Sequence, residues 1–191
     1  MLPALHSGQY ALNEAKFVHL RQYTFENPMP FPPNLSLESL KNLTSNGANE
    51  LSGLHMRCFQ GNEVWSPQEF LDVSSDPVRW GVYAEIEEEG PIGVAVMLDT
   101  GDDSELLTIA VHPAYRAIGI GRYLLQFVEE TAIGRGRSRI LLDVAADNPD
   151  AIGLYTSEGY GRSGSRKAYY DRGDGLKIDA IQMTKPITEV R

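Results

Sequence analysis

The stretch from Arg116 to Arg122 reads Arg-Ala-Ile-Gly-Ile-Gly-Arg, with Gly119 and Gly121 directly before an amphipathic helical pattern. A helix opened by glycines offers bare backbone N–H groups and a positive dipole end, which suits a phosphate. The residues exclude two common phosphate turns. A P-loop ends in Gly-Lys-Ser/Thr, whereas Arg122 and Tyr123 follow Gly121. A dinucleotide fingerprint needs a third glycine where Leu124 stands, and it usually follows the first strand of its domain. A second chemical signal is Asp143, which interrupts the apolar run "RILLDVA". Period-two alternation points it away from Ile140, Leu142 and Val144, and a charge inside a buried strand has a partner or a task.

The elements that position these residues are legible from local signals. Thr44 or Ser45 caps a helix through "NELSGLHMRCF", with Leu51, Leu54 and Cys58 on one face. Ser66, Pro67 and Glu69 open a second helix as cap, first turn and capping-box partner. "RWGVYAEIEE" and "PIGVAVML" read as two strands joined at Gly90-Pro91, with Glu87, Glu88 and Glu89 as a solvated hairpin tip. "ELLTIAV" is a central strand leading into the glycine turn, whose helix ends at Gly134 and Gly136. "RILLDVA" is the next buried strand, followed by a helix with Pro149 in its first turn and Gly159 at its end. "GRSGSRKAYY" and "DAIQMTKP" form a final pair of strands. The four prolines of Phe25 to Asn34 mark a connector, preceded by a helical piece near Leu12 to Tyr23 whose aromatic residues dock on the domain.

Composition narrows the class of partner. A net charge of −9 argues against nucleic acid and leaves room for a cationic protein or peptide. One cysteine, Cys58, excludes an internal disulfide, and the four histidines lack metal-ligand spacing, so no metal is expected. The start carries no basic segment followed by a long apolar one, and the longest apolar runs are too short to span a bilayer. The expectation is a cytoplasmic protein with no membrane partner; oligomeric state is not readable.

"AVHPAYRAIGIGRYLL" resembles the acetyl-CoA motif of the GNAT superfamily of N-acetyltransferases, an Arg/Gln-x-x-Gly-x-Gly/Ala loop between a central strand and a helix. "LLDVAADNPDAIGLYTSEGYG" is similar to the second half of that domain. "RKAYYDRGDGLKIDA" resembles the Tyr-Tyr, Asp-Gly and Asp-Ala hairpin of its α-amine branch, above all the bacterial ribosomal-protein-alanine N-acetyltransferases. The likeness covers roughly residues 37 to 187. It implies an α/β GNAT fold, a mixed, mostly antiparallel central sheet flanked by helices, with residues 1–36 an N-terminal extension and 37–191 the acetyltransferase domain.

The resemblance also implies roles. Backbone N–H groups of Ala117, Ile118, Gly119, Ile120, Gly121 and Arg122 would hold the diphosphate of acetyl-CoA, and Arg116 would add charge or brace the loop. Ile109, Ala110 and Val111 would pair with the pantetheine amides as an added strand. Asn148 would bond the same arm, cap the last helix, or both. Asp143 stands where the family has a glutamate base; being a methylene shorter, it would relay through water, position the substrate or serve in a structural pair. Glu105 is the rival base, or a solvated strand end, and Tyr155 the proton donor to the thiolate, or a core aromatic. Tyr169 and Tyr170 would flank the acceptor, or pack across strands, and Trp65 would wall it opposite or fill the core. The implied acceptor is a protein N-terminal α-amine, that of a ribosomal protein with N-terminal alanine. A small-molecule amine, a lysine side chain and a CoA-binding regulatory module without turnover are the alternatives.

Overall fold

Side-chain caps set the helix starts. In the computed structural model, which describes residues 31–32, 34–172 and 175–187, Thr44 accepts from Gly47 N and opens helix α1, Ser45–Cys58. Ser66 and Glu69 form a capping box on α2, Pro67–Ser75, and Asn148 accepts from Ala151 N at the start of α4, Pro149–Ser157. Helix α3, Ile120–Gly134, begins instead on Gly119, which has no side chain to offer. The helical piece expected at 12–23, and Gly173 and Asp174 of the last hairpin, lie outside the described residues.

The strands are β1 (Leu35–Ser39), β2 (Arg79–Ile86), β3 (Gly90–Thr100), β4 (Asp103–Val111), β5 (Arg139–Ala145), β6 (Gly161–Asp171) and β7 (Lys177–Pro186). They form one sheet in the order β1-β2-β3-β4-β5-β7-β6. Among the described residues only β4 and β5 pair in parallel; the other neighbours are antiparallel. The fold is therefore α/β with a mixed, mostly antiparallel sheet flanked by helices. Strand β1 begins within residues 1–36, expected as an N-terminal extension, with Leu35 and Leu37 both buried and Leu35 opposite Ile86. Its five residues alternate Leu-Ser-Leu, too briefly to stand out beside the prolines.

Each sheet face carries its own core. Leu124, Leu125 and Val128 of α3 pack with Leu106, Ile140, Leu142 and Val144 on one face, together with Tyr155 of α4. Leu51 and Leu54 of α1 and Phe70 and Val73 of α2 pack on the other face with Val94, Val96 and Ala110. Burying each such side chain contributes about 1.5–3 kcal/mol before the entropy of ordering it is subtracted. Phe31 lies 5.2 Å, ring centroid to ring centroid, from Tyr123.

One irregularity matters for the site. The β3–β4 register steps from Val96↔Thr108 to Met97↔Leu106, leaving Leu107 as an extra residue in β4. Such a bulge exchanges the faces of the residues beyond it. Accordingly Leu106 belongs to the α3 core, whereas beyond the bulge Ile109 and Val111 do. The β4–β5 ladder stops just there, at Leu106↔Leu142, although β4 runs on to Val111 and β5 to Ala145. The two strands splay and leave a gap in the middle of the sheet.

Candidate active site

The glycine turn closes one end of this gap. Gly119 adopts φ +97 and Ala117 φ +62, both left-handed, and the first helical bond of α3 runs from Tyr123 N to Gly119 O. The N–H groups of Ile120, Gly121 and Arg122 precede it and have no acceptor within their own helix. A Cβ added to Gly121 would meet only Leu154 and Val111, each at 3.6 Å, an ordinary contact. The packing around Gly121 thus sets no demand for glycine; a ligand lying on its amide would. Arg116 braces the turn, Nε donating to Val111 O at 3.1 Å, and Cys58 Sγ donates to the same oxygen at 3.3 Å. Arg122 turns its side chain away, to Glu158 at 2.6 Å and Ser157 at 3.1 Å. Glu89, expected as solvated hairpin tip, accepts from Tyr115 Oη and ties the β2–β3 turn to the chain before the glycines.

The gap also exposes strand edge. His112 N donates to Ile92 O, so the alternate residues Ile109 and Val111 direct their N–H and C=O away from β3, toward the splay. Extended chain with amide groups fits that edge as an added strand would. An uncapped N-terminus, the space at Gly121 and this open edge are together the features a diphosphate joined to an amide-bearing arm requires.

Asp143 and Tyr155 flank the gap from opposite faces of the sheet. Asp143 shares its face with Glu105, which stands one strand away opposite Leu141. Arg166 of β6 forms an ion pair with Asp143, Nη1 to Oδ2 at 3.0 Å, while Oδ1 is buried with no hydrogen-bond partner among the described residues. Tyr170 Oη donates to Asp143 O at 3.0 Å. Burial pushes the Tyr155 phenol well above its ordinary pKa, with Tyr170 adding to the shift. Burial also raises Tyr170, helped by Asp143, Glu63 and Tyr169 and opposed by Arg172. Both phenols are therefore protonated throughout the neutral range. Asn148 stands one residue before α4 and seven before Tyr155, about two turns earlier.

The hairpin reaches the site through a second irregularity. Between Arg166↔Ala180 and Tyr170↔Ile178, three residues of β6 face one of β7. Asp179 holds this bulge, accepting from Ala168 N and Lys167 Nζ at 2.9 Å each, and Ala168 sits at φ +52. Tyr170 is thereby turned toward β5, and Tyr169 stays half exposed, its ring edge-on to Tyr170 and 5.1 Å from the Arg166 guanidinium. Arg172 ties the hairpin to both neighbouring loops, pairing with Glu63 and, at 2.9 Å, with Asp147.

Trp65 is directed inward. Its ring packs at 5.4 Å from Phe70 and 6.0 Å from His55, although the turn just before it, Gly61–Glu63, runs beside β6. His55 Nδ1 accepts from Trp65 N at 3.1 Å, which leaves Nε2–H to donate to Thr108 Oγ1 at 2.9 Å. Burial lowers the His55 pKa to about 4, against the pull of Glu69, so the ring is neutral. Sequence reasoning missed Arg166, Asp179, Arg172 and His55. Their only signal is register, since each partner lies on a different element. Among the described residues no group of His, Cys, Asp and Glu is placed to hold a metal ion, and no helix is long and apolar enough to cross a membrane.

The sequence profile of the Acetyltransferase (GNAT) family matches residues 48–160. The [Ribosomal protein bS18]-alanine N-acetyltransferase of Escherichia coli strain K12 is 40% identical over 87 residues, 46% of this chain and 58% of that protein. The match thus spans less than two thirds of that relative's length. N-alpha-acetyltransferase RimI of Mycobacterium tuberculosis is 34% identical over 131 residues, 67% of this chain and 81% of that protein. The crystal structure of the ribosomal-protein-S18-alanine N-acetyltransferase from Escherichia coli superposes with a TM-score of 0.71 at 27% identity, covering 82% of this chain and 96% of that one.

Proposed function

The chain belongs to the GNAT acetyltransferase family, and from that premise we propose that it acetylates the α-amine of a protein N-terminus, the alanine of a ribosomal protein being the specific acceptor. The observation that carries this reading is the splay of β4 from β5, with the uncapped α3 at its end and Asp143 and Tyr155 on its two sides. The names borne by the relatives from Escherichia coli and Mycobacterium tuberculosis support the acceptor class.

Acetyl-CoA, when bound, supplies an activated acetyl thioester. The backbone N–H groups from Ala117 to Arg122 hold its diphosphate, with Arg116 bracing the loop. The outward N–H and C=O of Ile109 and the N–H of Val111 take the pantetheine amides. Ala110, expected to share this role, is paired with Val94 of β3, and Val111 O is engaged by Arg116 and Cys58. The Asn148 side-chain amide retains an N–H₂ donor while its oxygen caps α4. Asp143 Oδ1 is aimed at the acceptor amine and receives its proton through a water, with Glu105 as the second carboxylate on that face. Tyr155 Oη holds the proton that the departing sulfur needs. Tyr170 and Tyr169 border the acceptor, and Trp65 supports that wall from within.

The base has a modest task if the acceptor is an α-amine. With a reference pKa near 8, about a quarter of such amines are neutral at pH 7.5, against about 0.1% of lysine side chains. The test offers acetyl-CoA with peptides that vary at residue one, each with a version blocked at the α-amine. Transfer to free N-termini, best with alanine, supports the reading; transfer only to lysines of blocked peptides refutes it.

A further inference from the structure

An arginine from the edge strand already occupies half of Asp143. The row Arg166–Ala180–Ala145 crosses β6, β7 and β5, so only Ala180 lies between Arg166 and the strand that carries Asp143, and Ala145, two residues from Asp143, adds a second small side chain on that face. Over this low floor the guanidinium reaches Oδ2 at 3.0 Å. The adjacent row, Asp143–Gln182–Gly164, has an uncharged amide beside the carboxylate. Arg166 is held from a second side by the Tyr169 ring at 5.1 Å, yet its side chain is 47% exposed against 11% for Asp143. One carboxylate oxygen is thus engaged and the other is buried and waiting for a donor.

We propose that Arg166 is an electrostatic positioning residue: it stays on Oδ2 of Asp143 while the acceptor ammonium docks on Oδ1, and its charge eases the loss of that ammonium's proton. The inference rests on the α-amine reading above. Two cations bridged by one carboxylate stand roughly 5–6 Å apart, given ordinary hydrogen-bond lengths on each oxygen. A like charge so close disfavours the protonated amine by about one pH unit. For an α-amine starting near 8 this raises the neutral fraction at pH 7.5 from about a quarter to about three quarters. The other charged or titratable groups about Asp143 are Glu105 on β4, Tyr170 and Arg172 on the hairpin, Tyr155 on α4 and Glu63 on the α1–α2 loop. Arg172 is engaged by Glu63 and Asp147, and the two phenols do not ionise near neutrality. Among the described residues, Arg166 is the cation in contact with Asp143.

The test compares wild type, Arg166→Gln and Arg166→Lys in single-turnover acetylation of a free-N-terminus peptide, at saturating acetyl-CoA and peptide, from pH 5.5 to 9. The expected result is an acid limb displaced upward by about one pH unit in Arg166→Gln, a roughly tenfold loss on that limb, and retained in Arg166→Lys. Calorimetry should show the acetyl-CoA Kd unchanged, and proton release on peptide binding to the CoA-loaded enzyme reduced in Arg166→Gln. An unmoved limb, or a several-fold tighter peptide in Arg166→Gln, overturns the role, the latter because it would make Arg166 a competitor of the amine. A wild-type enzyme that acetylates only a blocked, lysine-bearing peptide overturns the α-amine reading itself.

Discussion

Replacing Gly121 by alanine separates what the fold needs from what the ligand needs. The new methyl meets Leu154 Cδ2 and Val111 Cγ2 at 3.6 Å, so the protein accommodates it without overlap. Gly121 has an ordinary helical backbone, and alanine in a helix is favoured over glycine by up to about 1 kcal/mol. For a domain of this size that raises Tm by about 2–4 °C at most. The same methyl projects beside an amide that no group among the described residues caps. Loss of one hydrogen bond to a charged diphosphate costs about 1.5–3 kcal/mol, a rise of about 10- to 150-fold in the Kd for acetyl-CoA. Calorimetric titration with acetyl-CoA and a thermal melt on the same sample measure both quantities. Gly119→Ala is the counter-control: at φ +97 it should cost about 1–2 kcal/mol and lower Tm. An acetyl-CoA Kd within threefold of wild type in Gly121→Ala would refute the placement of the diphosphate on this turn.

Tyr155→Phe keeps the buried ring but not the proton and should lower kcat by about 10²-fold or more with little change in Tm, read by steady-state kinetics and a melt. His55 makes stability acid-sensitive: its pKa is about 4 when folded and 6.5 in the open chain, so the unfolded state binds more protons between these values. The contribution is complete above pH 6.5 and should be diminished by about 2.5 kcal/mol at pH 4.5, visible as a smaller fall in urea midpoint for His55→Gln than for wild type. Asp99 accepts from Trp80 Nε1 and Ser104 Oγ and pairs with Arg135, so Asp99→Ala should cost about 3 kcal/mol or more, measured by urea unfolding. Asp179→Ala frees the Ala168 bulge and should raise the KM for acceptor peptide severalfold while leaving that for acetyl-CoA unchanged.

Local chemistry was legible in the sequence. The caps at Thr44, Ser66 and Asn148, the glycine opening at Gly119 and the apolar alternation of β5 are interactions within about four residues, and each stands where its residue types place it. The face of Asp143 followed from period two alone. The sequence also left Trp65 and Asn148 with two readings each. The tertiary structure shows Trp65 packed against His55 and Phe70, and the Asn148 cap made.

What only the tertiary structure decided is register. The extra residue at Leu107, the end of the β4–β5 ladder at Leu106↔Leu142, and the three-residue bulge opposite Asp179 have no local signature, because each is a mismatch between strands distant in sequence. Those mismatches open the gap and turn Tyr170 onto Asp143. The β6–β7 register, stepped at Ser163, likewise brings Arg166 over Ala180 to a carboxylate 23 residues earlier in the chain. Composition and periodicity report which face a side chain takes. The neighbour it meets there is set by pairing across the sheet, where a slip of one residue would put a different side chain against Asp143.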